Sequence, residues 1–298
     1  MKVGMNLPVM VPGLTRELVR QWCRRIDSGP YSSIAAGERI AFPNPEIMVT
    51  LSAAAAWTER VKIAFHVLVP PMHDAVLLAK QVATLDVLSG GRVCLGVGVG
   101  AREEDYRAVG ATWDARLLTR LEKSVETMRR VWDGSHVIDG VTRNVEPQPL
   151  QRGGPPILAG VLMPNAIARA ARWADGITGF SFGPSPDDVR MRFEGARQAW
   201  KDAGRSSAPR LVTGFWFALG SDPDEQVGSY LERYLAFMGD DAGRSLAPNI
   251  SARSPAALRD ALLMCRDLGA DEVVLVPTTS DPAEADRAAD VIASLPRG

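Results

Sequence analysis

At 298 residues the chain is long enough for about two domains of roughly 150 residues, or for one α/β barrel of roughly 250. Apolar residues make up 46% and charged residues 23%, which excludes bulk disorder. Lys plus Arg number 34 against 35 for Asp plus Glu; the net charge of −1 argues against nucleic acid or an anionic membrane surface as the main partner.

Cys23, Cys94 and Cys265 lie far apart, each beside apolar residues, which makes no disulfide framework and points to a reducing cytoplasm. No apolar run approaches the ~18 residues of a membrane helix. The strand-like Lys2-Val3-Gly4-Met5-Asn6 at the start predicts no signal peptide.

Short β-branched runs alternate with longer helical patterns. The first strand is predicted at Val3–Leu7, followed by a helix over about Thr15–Ile26 with Thr15 as N-cap. Strand two is Ser33–Ala36, and Asn44-Pro45 then reads as a cap and first helical residue of a helix running to about Thr58. Strand three is Val61–Val69; its helix, about Asp74 to Leu88, ends at Ser89-Gly90-Gly91. Strand four, Arg92–Val97, precedes a short helix (Glu103–Val109) and a longer one (about Leu117–Trp132). Residues 133–155 read as an excursion, with Asp139-Gly140 between Val137-Ile138 and Val141 as a hairpin signal. Strand five is Pro156–Ala159 with a helix over about Asn165–Trp173, and strand six is Gly176–Ser181 with a helix to about Ala203. Strand seven is Leu211–Leu219, followed by a helix over Asp222–Phe237 and a loop over Gly239–Arg253. Ser254-Pro255 starts another helix, strand eight is Glu272–Val276, and a last helix spans about Pro282–Leu295. Eight strands, each followed by helix, predict an α/β fold: a single (β/α)8 TIM barrel over residues 1–298 with short insertions. No self-similar period suggests a solenoid.

A barrel places its chemistry where the strands end. The predicted ends are Asn6, Glu38-Arg39, His66-Val67, Gly98-Val99-Gly100, Gly160, Phe180-Ser181, Trp216 and Thr278. Alternation in strand three puts Val61, Ile63, Phe65 and Val67 under the helices and Lys62, Ala64, His66 and Leu68 inside the barrel, with Lys62 low and His66 high. His66 is therefore either a pocket residue or a hydrogen-bonded core histidine. Gly96–Ala101 fits the G-x-G-x-x-A dinucleotide fingerprint, but its glycines begin inside the strand and no acidic strand end follows about 20 residues on. Its glycines instead admit a flat ring close to backbone, or serve only as a strand exit. Arg102-Glu103-Glu104-Asp105 reads as a solvated first helical turn, with Arg102 in reach of an anionic cofactor tail. The alanine run at 53–56 suits close helix packing or a subunit interface. His66, His73 and His136 lack metal-ligand spacing, and no C-x-x-C, H-E-x-x-H or G-x-S-x-G occurs, so no metal site or serine nucleophile is expected.

Several segments together resemble the bacterial-luciferase-like superfamily. They are Thr58-Glu59-Arg60-Val61, Leu68-Val69-Pro70-Pro71, Leu77-Leu78-Ala79-Lys80-Gln81, Thr84-Leu85-Asp86, Leu88-Ser89-Gly90-Gly91-Arg92 and Leu95-Gly96-Val97-Gly98-Val99-Gly100, with Gly154-Pro155-Pro156-Ile157-Leu158 and Ala174-Asp175-Gly176 further on. The match is dense over residues 58–132 and collinear elsewhere. The resemblance implies a TIM barrel binding FMN or the deazaflavin coenzyme F420, and the Leu-Ser-Gly-Gly-Arg and Gly-Val-Gly-x-Gly patterns look more like the F420-dependent oxidoreductases. It further implies a bulge with a non-prolyl cis peptide joining His66 to Val67 behind the ring, and Gly98, Val99 and Gly100 along the pyrimidine edge. Ala159 and Gly160 would lie at the cofactor after strand five, Gly160 receiving its phosphate. Asn6 and Arg102 complete the expected cofactor contacts, and a homodimer packing through the early helices is implied as well.

Four departures from the family pattern bear on the site; one is Ala64-Phe65-His66 in place of a tight Gly-Thr/Ser on strand three. Relatives often carry Asp/Glu-His where this chain has Glu38-Arg39; an arginine is no neutral-pH acid–base and would instead bind an anionic group or pair with Glu38. Val161, Leu162 and Met163 replace small or hydroxyl residues and weaken the phosphate site. Ala101 replaces the acidic residue of sugar-phosphate-oxidising members, which argues against that substrate. The leading expectation is hydride transfer between F420 and a small organic substrate, with Glu38, Arg39 and His66 as catalytic candidates. The alternatives are an FMN-dependent two-component monooxygenase, and a non-catalytic barrel that has lost its cofactor.

Overall fold

The computed structural model describes residues 1–239 and 241–296. Strands β1 (Lys2–Asn6), β2 (Ser33–Ala36), β3 (Lys62–Leu68), β4 (Val93–Val97), β5 (Ile157–Ala159), β6 (Gly176–Thr178), β7 (Arg210–Phe217) and β8 (Glu272–Pro277) pair in sequence order, all parallel, and β8 closes on β1. The expected (β/α)8 barrel is therefore the fold. The helices wrapped outside it are α1 (Arg16–Ser28), α2 (Ile47–Ala56), α3 (Ala75–Leu88), α4 (Glu103–Ala108), α5 (Leu117–Trp132), α6 (Pro164–Ala170), α7 (Pro186–Asp202), α8 (Pro223–Tyr234), α9 (Ala242–Leu246), α10 (Pro255–Asp267) and α11 (Ala283–Ala293).

Local signals explain most boundaries. Thr15 caps α1 by accepting from the Leu18 N–H at 3.2 Å, and Val19, Trp22, Cys23 and Ile26, spaced i, i+3, i+4 and i+7, bury one face. Ser254 caps α10 in the same way. The cap of α2 differs from expectation. Glu46 fills that role, accepting from Met48 N at 3.0 Å and Val49 N at 2.6 Å, while the Asn44 amide donates back to the Arg39 and Pro45 carbonyls. No strand forms over 133–155; Asp139-Gly140 is a lone turn, with Gly140 at φ +73°. The predicted hairpin fails because the flanking runs, Val137-Ile138 and Val141, are too short to pair and have no sheet to join. The helix expected to reach Phe237 ends at Tyr234 and gives way to a 3-10 turn over Ala236–Met238, and the stretch 239–253, expected to be loop, contains α9 and a second 3-10 turn, Ala247–Asn249.

The barrel interior is layered. At the bottom, Glu272 accepts from the Ser32 and Ser33 hydroxyls, each at 2.6 Å, and pairs with Arg210. The middle layer is apolar and small: Ala35, Ala64, Cys94, Leu158, Val212 and Val274. The top layer is His66, and it sits beside an irregularity in β3. Phe65 pairs with Leu95 but Leu68 pairs with Val97, so β3 takes three steps where β4 takes two. That bulge reverses the expected alternation. Val67 turns into the barrel mouth, and Leu68 joins the core under the helices. The His66–Val67 peptide is cis, as the resemblance implied.

Candidate active site

A cleft of about 320 Å³ opens at the C-terminal end of the barrel, bounded by the ends of β1 to β8 and the segment after α8. Asn6, Glu38, Arg39, His66, Val67, Gly98, Val99, Gly100, Arg102 and Gly160, expected at the site, all line it. Ala159 does not; its side chain is fully buried in the core under the helices, because β5 pairs Ala159 with Val97 and points it outward.

His66 forms the floor. Its side chain crosses from β3 to β7, on the opposite side of the barrel. A Cβ on Gly214 would lie 2.7 Å from the His66 Cε1, so only glycine at that position leaves room for the imidazole. Burial pushes His66 down to about 4, against smaller upward pulls from its hydrogen bond to the Gly179 backbone and from Glu272. The imidazole is therefore neutral around pH 7 and suits ring contact, not proton donation. The wall beside it is Val67, seated between two glycines. A Cβ on Gly98 would lie 3.2 Å from Val67 Cγ2, and one on Gly160 would lie 2.9 Å from Val67 Cγ1. The glycines thus accommodate the inward-turned valine as well as leaving backbone bare to a ligand.

The charged candidates are engaged elsewhere. Glu38 is buried; its Oε2 accepts from the Val69 N–H at 2.6 Å and its Oε1 meets His73 Nε2 at 2.8 Å. Burial alone would lower His73, but the hydrogen bond and charge of Glu38 outweigh it and raise its pKa above the ordinary histidine value. Arg39 pairs neither with Glu38 nor with an open anion site. Its Nε donates to Asp105 at 2.6 Å and its Nη2 to Glu104 at 2.8 Å, with the guanidinium 4.8 Å from the Phe42 ring. Asp105 also accepts from the Ile40 and Ala41 N–H groups at 2.9 and 2.7 Å. The acidic first turn of α4 is therefore partly a buried anchor for the loop after β2, not a wholly solvated face. Two polar side chains lining the cleft have a buried atom with no hydrogen-bond partner among the described residues. They are Asn6, 5% exposed, whose Oδ1 has no partner, and Arg102, whose Nε has none.

Opposite the glycines stands an aromatic wall. Trp216 of β7 packs edge-on to Phe180 at 4.7 Å and to Tyr234 at 5.6 Å, and tilts against Phe182 at 5.5 Å. Of these only Phe180 and Trp216 were legible as strand ends. Tyr234 comes from the last turn of α8, which helical periodicity alone does not aim at the cleft. Gly214 and His73 were also missed; an isolated glycine inside the predicted strand seven was the available signal for the first.

The arrangement fits a flat ring: a neutral imidazole beneath, bare glycine backbone along one side, an apolar valine at its back and an unpartnered amide oxygen at Asn6. The phosphate end of such a cofactor would be met differently. Val161 is buried, Leu162 and Met163 are 42% and 68% exposed, and none of the three brings a cation or a hydroxyl. Their backbone N–H groups donate to no protein acceptor among the described residues, and they precede the N-terminus of α6. Among the described residues, no group of three or more His, Cys, Asp or Glu is placed to hold a metal ion, and no helix is long and apolar enough to cross a membrane.

Comparison with known proteins bears on family and fold. The family described as luciferase-like monooxygenase matches residues 1–285. An uncharacterized protein of Mycobacterium tuberculosis is 33% identical over 171 residues, 55% of this chain and 59% of that one. The FMNH2-dependent dimethylsulfone monooxygenase of Pseudomonas putida is 29% identical over 225 residues, 71% of this chain and 60% of that one. The matched stretch thus spans about three fifths of the length of these curated relatives. Among solved structures, an F420-dependent secondary alcohol dehydrogenase in complex with an F420–acetone adduct superposes with a TM-score of 0.79 at 15% identity, covering 100% of both chains.

Proposed function

The chain belongs to the luciferase-like monooxygenase family, and from that premise we propose that it is an F420-dependent oxidoreductase acting on a small organic molecule. The observation that carries the reading is the cleft itself: Val67 and Gly98–Gly100 on one side, the Trp216 wall on the other, His66 beneath. When bound, the deazaflavin supplies the hydride chemistry. The protein's part is binding, orientation and exclusion of water. Val67 backs the ring, and Asn6 offers its unpartnered amide to the ring or to the substrate. The N–H groups of residues 161–163 meet the cofactor phosphate in place of side-chain donors. His66 and Glu38 shape the floor and hold the bulge; neither acts as the proton donor near pH 7, because His66 is neutral and both Glu38 oxygens are engaged. Arg39 acts as a positioning residue for the loop that carries Glu38. A single-domain cytoplasmic homodimer is the setting this reading carries.

F420 is preferred over FMN because of the Leu88–Arg92 and Gly96–Gly100 patterns. The second reading, an FMN-dependent monooxygenase fed by a separate reductase, is favoured by the match to the dimethylsulfone enzyme. Fluorescence titration of the purified protein with each cofactor decides between them. Tighter binding of F420, with no dioxygen uptake when reduced F420 is supplied, is expected. Tighter binding of FMN transfers the reading to the monooxygenase, and binding of neither supports a barrel that has lost its cofactor.

A further inference from the structure

Arg102 is the cleft's one charged side chain without an ionic partner among the described residues. Its neighbour Arg39 is matched by both Glu104 and Asp105. Arg102 instead lies against two aromatic rings, its guanidinium carbon 4.8 Å from the Tyr234 centroid and 4.0 Å from that of Phe237. One N–H of Nη2 reaches the Tyr234 carbonyl at 3.3 Å, and the buried Nε has no acceptor among the described residues. A cation taken out of water is costly unless an anion or oriented acceptors compensate it. Burial accordingly pulls the Arg102 pKa below the usual arginine range. Through Tyr234 this guanidinium is continuous with the Trp216–Phe180 wall, at the β6–β7 side of the mouth. That wall leaves Phe182 42% and Phe237 45% exposed, apolar surface at the rim of a cleft that a ligand would cover.

We infer that this cleft selects a small, flat, apolar substrate bearing a single carboxylate, its ring on the Trp216 wall and its carboxylate on Arg102. The inference rests on the reading of the cleft as a coenzyme site, which leaves the aromatic side for substrate. A planar carboxylate matches the edge of one guanidinium held between rings. A phosphate would ask for further positive charge, and the nearby Arg39 is already matched by Glu104 and Asp105. Arg102 is thereby a specificity residue on the substrate side, not a partner of the cofactor tail as expected from sequence.

The test compares 2-naphthoate with its neutral isostere 2-naphthamide, by quenching of tryptophan fluorescence, in the protein with and without saturating F420. Naphthoate is expected to bind about 10- to 100-fold more tightly, the worth of a charge-assisted hydrogen-bond pair. Arg102→Met should abolish the difference while leaving F420 affinity unchanged, and Arg102→Lys should retain part of it, which keeps the test valid if the methionine variant misfolds. Equal binding of the two probes overturns the inference while F420 binding still supports the coenzyme reading. Loss of F420 affinity in Arg102→Met, with naphthoate and naphthamide bound alike by the wild type, returns Arg102 to the cofactor tail and also overturns it. Failure of F420 to bind, with the naphthoate preference intact, sinks the coenzyme reading and leaves the carboxylate site standing.

Discussion

The buried Arg39–Asp105 pair separates two views of the loop after β2, and its removal has a calculable signature. Arg39 and Asp105 side chains are 4% and 8% exposed, so solvent screens the pair little. Asp105→Ala leaves a buried guanidinium with only the half-exposed Glu104 and strands the Ile40 and Ala41 N–H groups. Breaking a buried pair by removing one partner costs about 3–5 kcal/mol. With an unfolding entropy of roughly 2.1 cal/mol/K per residue, that lowers the melting temperature by about 5–8 °C. Arg39→Met should cost less, about 1–3 kcal/mol, because Met refills much of the volume and Asp105 keeps both backbone donors. The double variant should cost less than the sum of the singles. Thermal unfolding by circular dichroism reads all three. If Arg39→Met melts within about 1 °C of the parent and instead raises KM, Arg39 is an anion hook and the positioning argument fails.

His66 in the cleft and His73 paired with Glu38 predict opposite pH responses. His66 titrates at about 4 when folded but near 6.5 unfolded, so the unfolded state binds the extra proton and stability falls as pH drops from about 6.5 to 4, by about 3 kcal/mol in all. Urea unfolding of His66→Gln should lack that slope. His73 is raised by Glu38, so its contribution is complete below about 6.5 and lost as pH climbs through its folded pKa; His73→Gln should be flat there, and a parallel loss in both proteins would refute the pairing. Gly214→Ala puts a methyl 2.7 Å from His66 Cε1 and 2.8 Å from the Val274 carbonyl. It should destabilise by about 1–3 kcal/mol and weaken coenzyme binding in a titration, whereas a neutral outcome would show that His66 has room to move. Burial raises Cys23 to about 12, Cys94 to about 11 and Cys265 to about 12, so Ellman's reagent should label none of them in the native protein and all three in guanidinium.

The fold was legible because its signals are local and repeated. Thr15 and Ser254 sit at caps, Gly90 and Gly91 take positive φ after α3, and the β-branched runs recur eight times. The site was legible only in outline. Strand ends follow from topology, so Asn6, Glu38, His66 and Trp216 could be named. What the side chains do there depends on partners distant in sequence. Arg39 meets Asp105 across 66 positions, and Arg102 reaches Tyr234 across 132. The β3 bulge is the sharpest case. A period-two reading sends Val67 outward, and one extra residue relative to β4 reverses it. The resemblance, not the periodicity, carried that feature.

One consequence follows from how charge is distributed. Glu272 is matched by Arg210 at the barrel floor, Glu38 by His73, and Asp105 by Arg39 at the mouth. With a net charge of −1 over the whole chain, no net attraction draws in an anion such as the coenzyme of the proposed reading. On the proposed reading, capture rests on contacts made after arrival: the bare backbone of Gly98–Gly100 and Gly160 and the N–H groups of residues 161–163. Screening lengths shrink from about 30 Å at 0.01 M salt to about 8 Å at 0.15 M, so a steered encounter would slow steeply over that range. The F420 association rate by stopped flow should instead change by less than about threefold. A fall of tenfold or more would mean that the cleft projects a positive potential, and that Arg102 and the α6 N-terminus act at long range before contact.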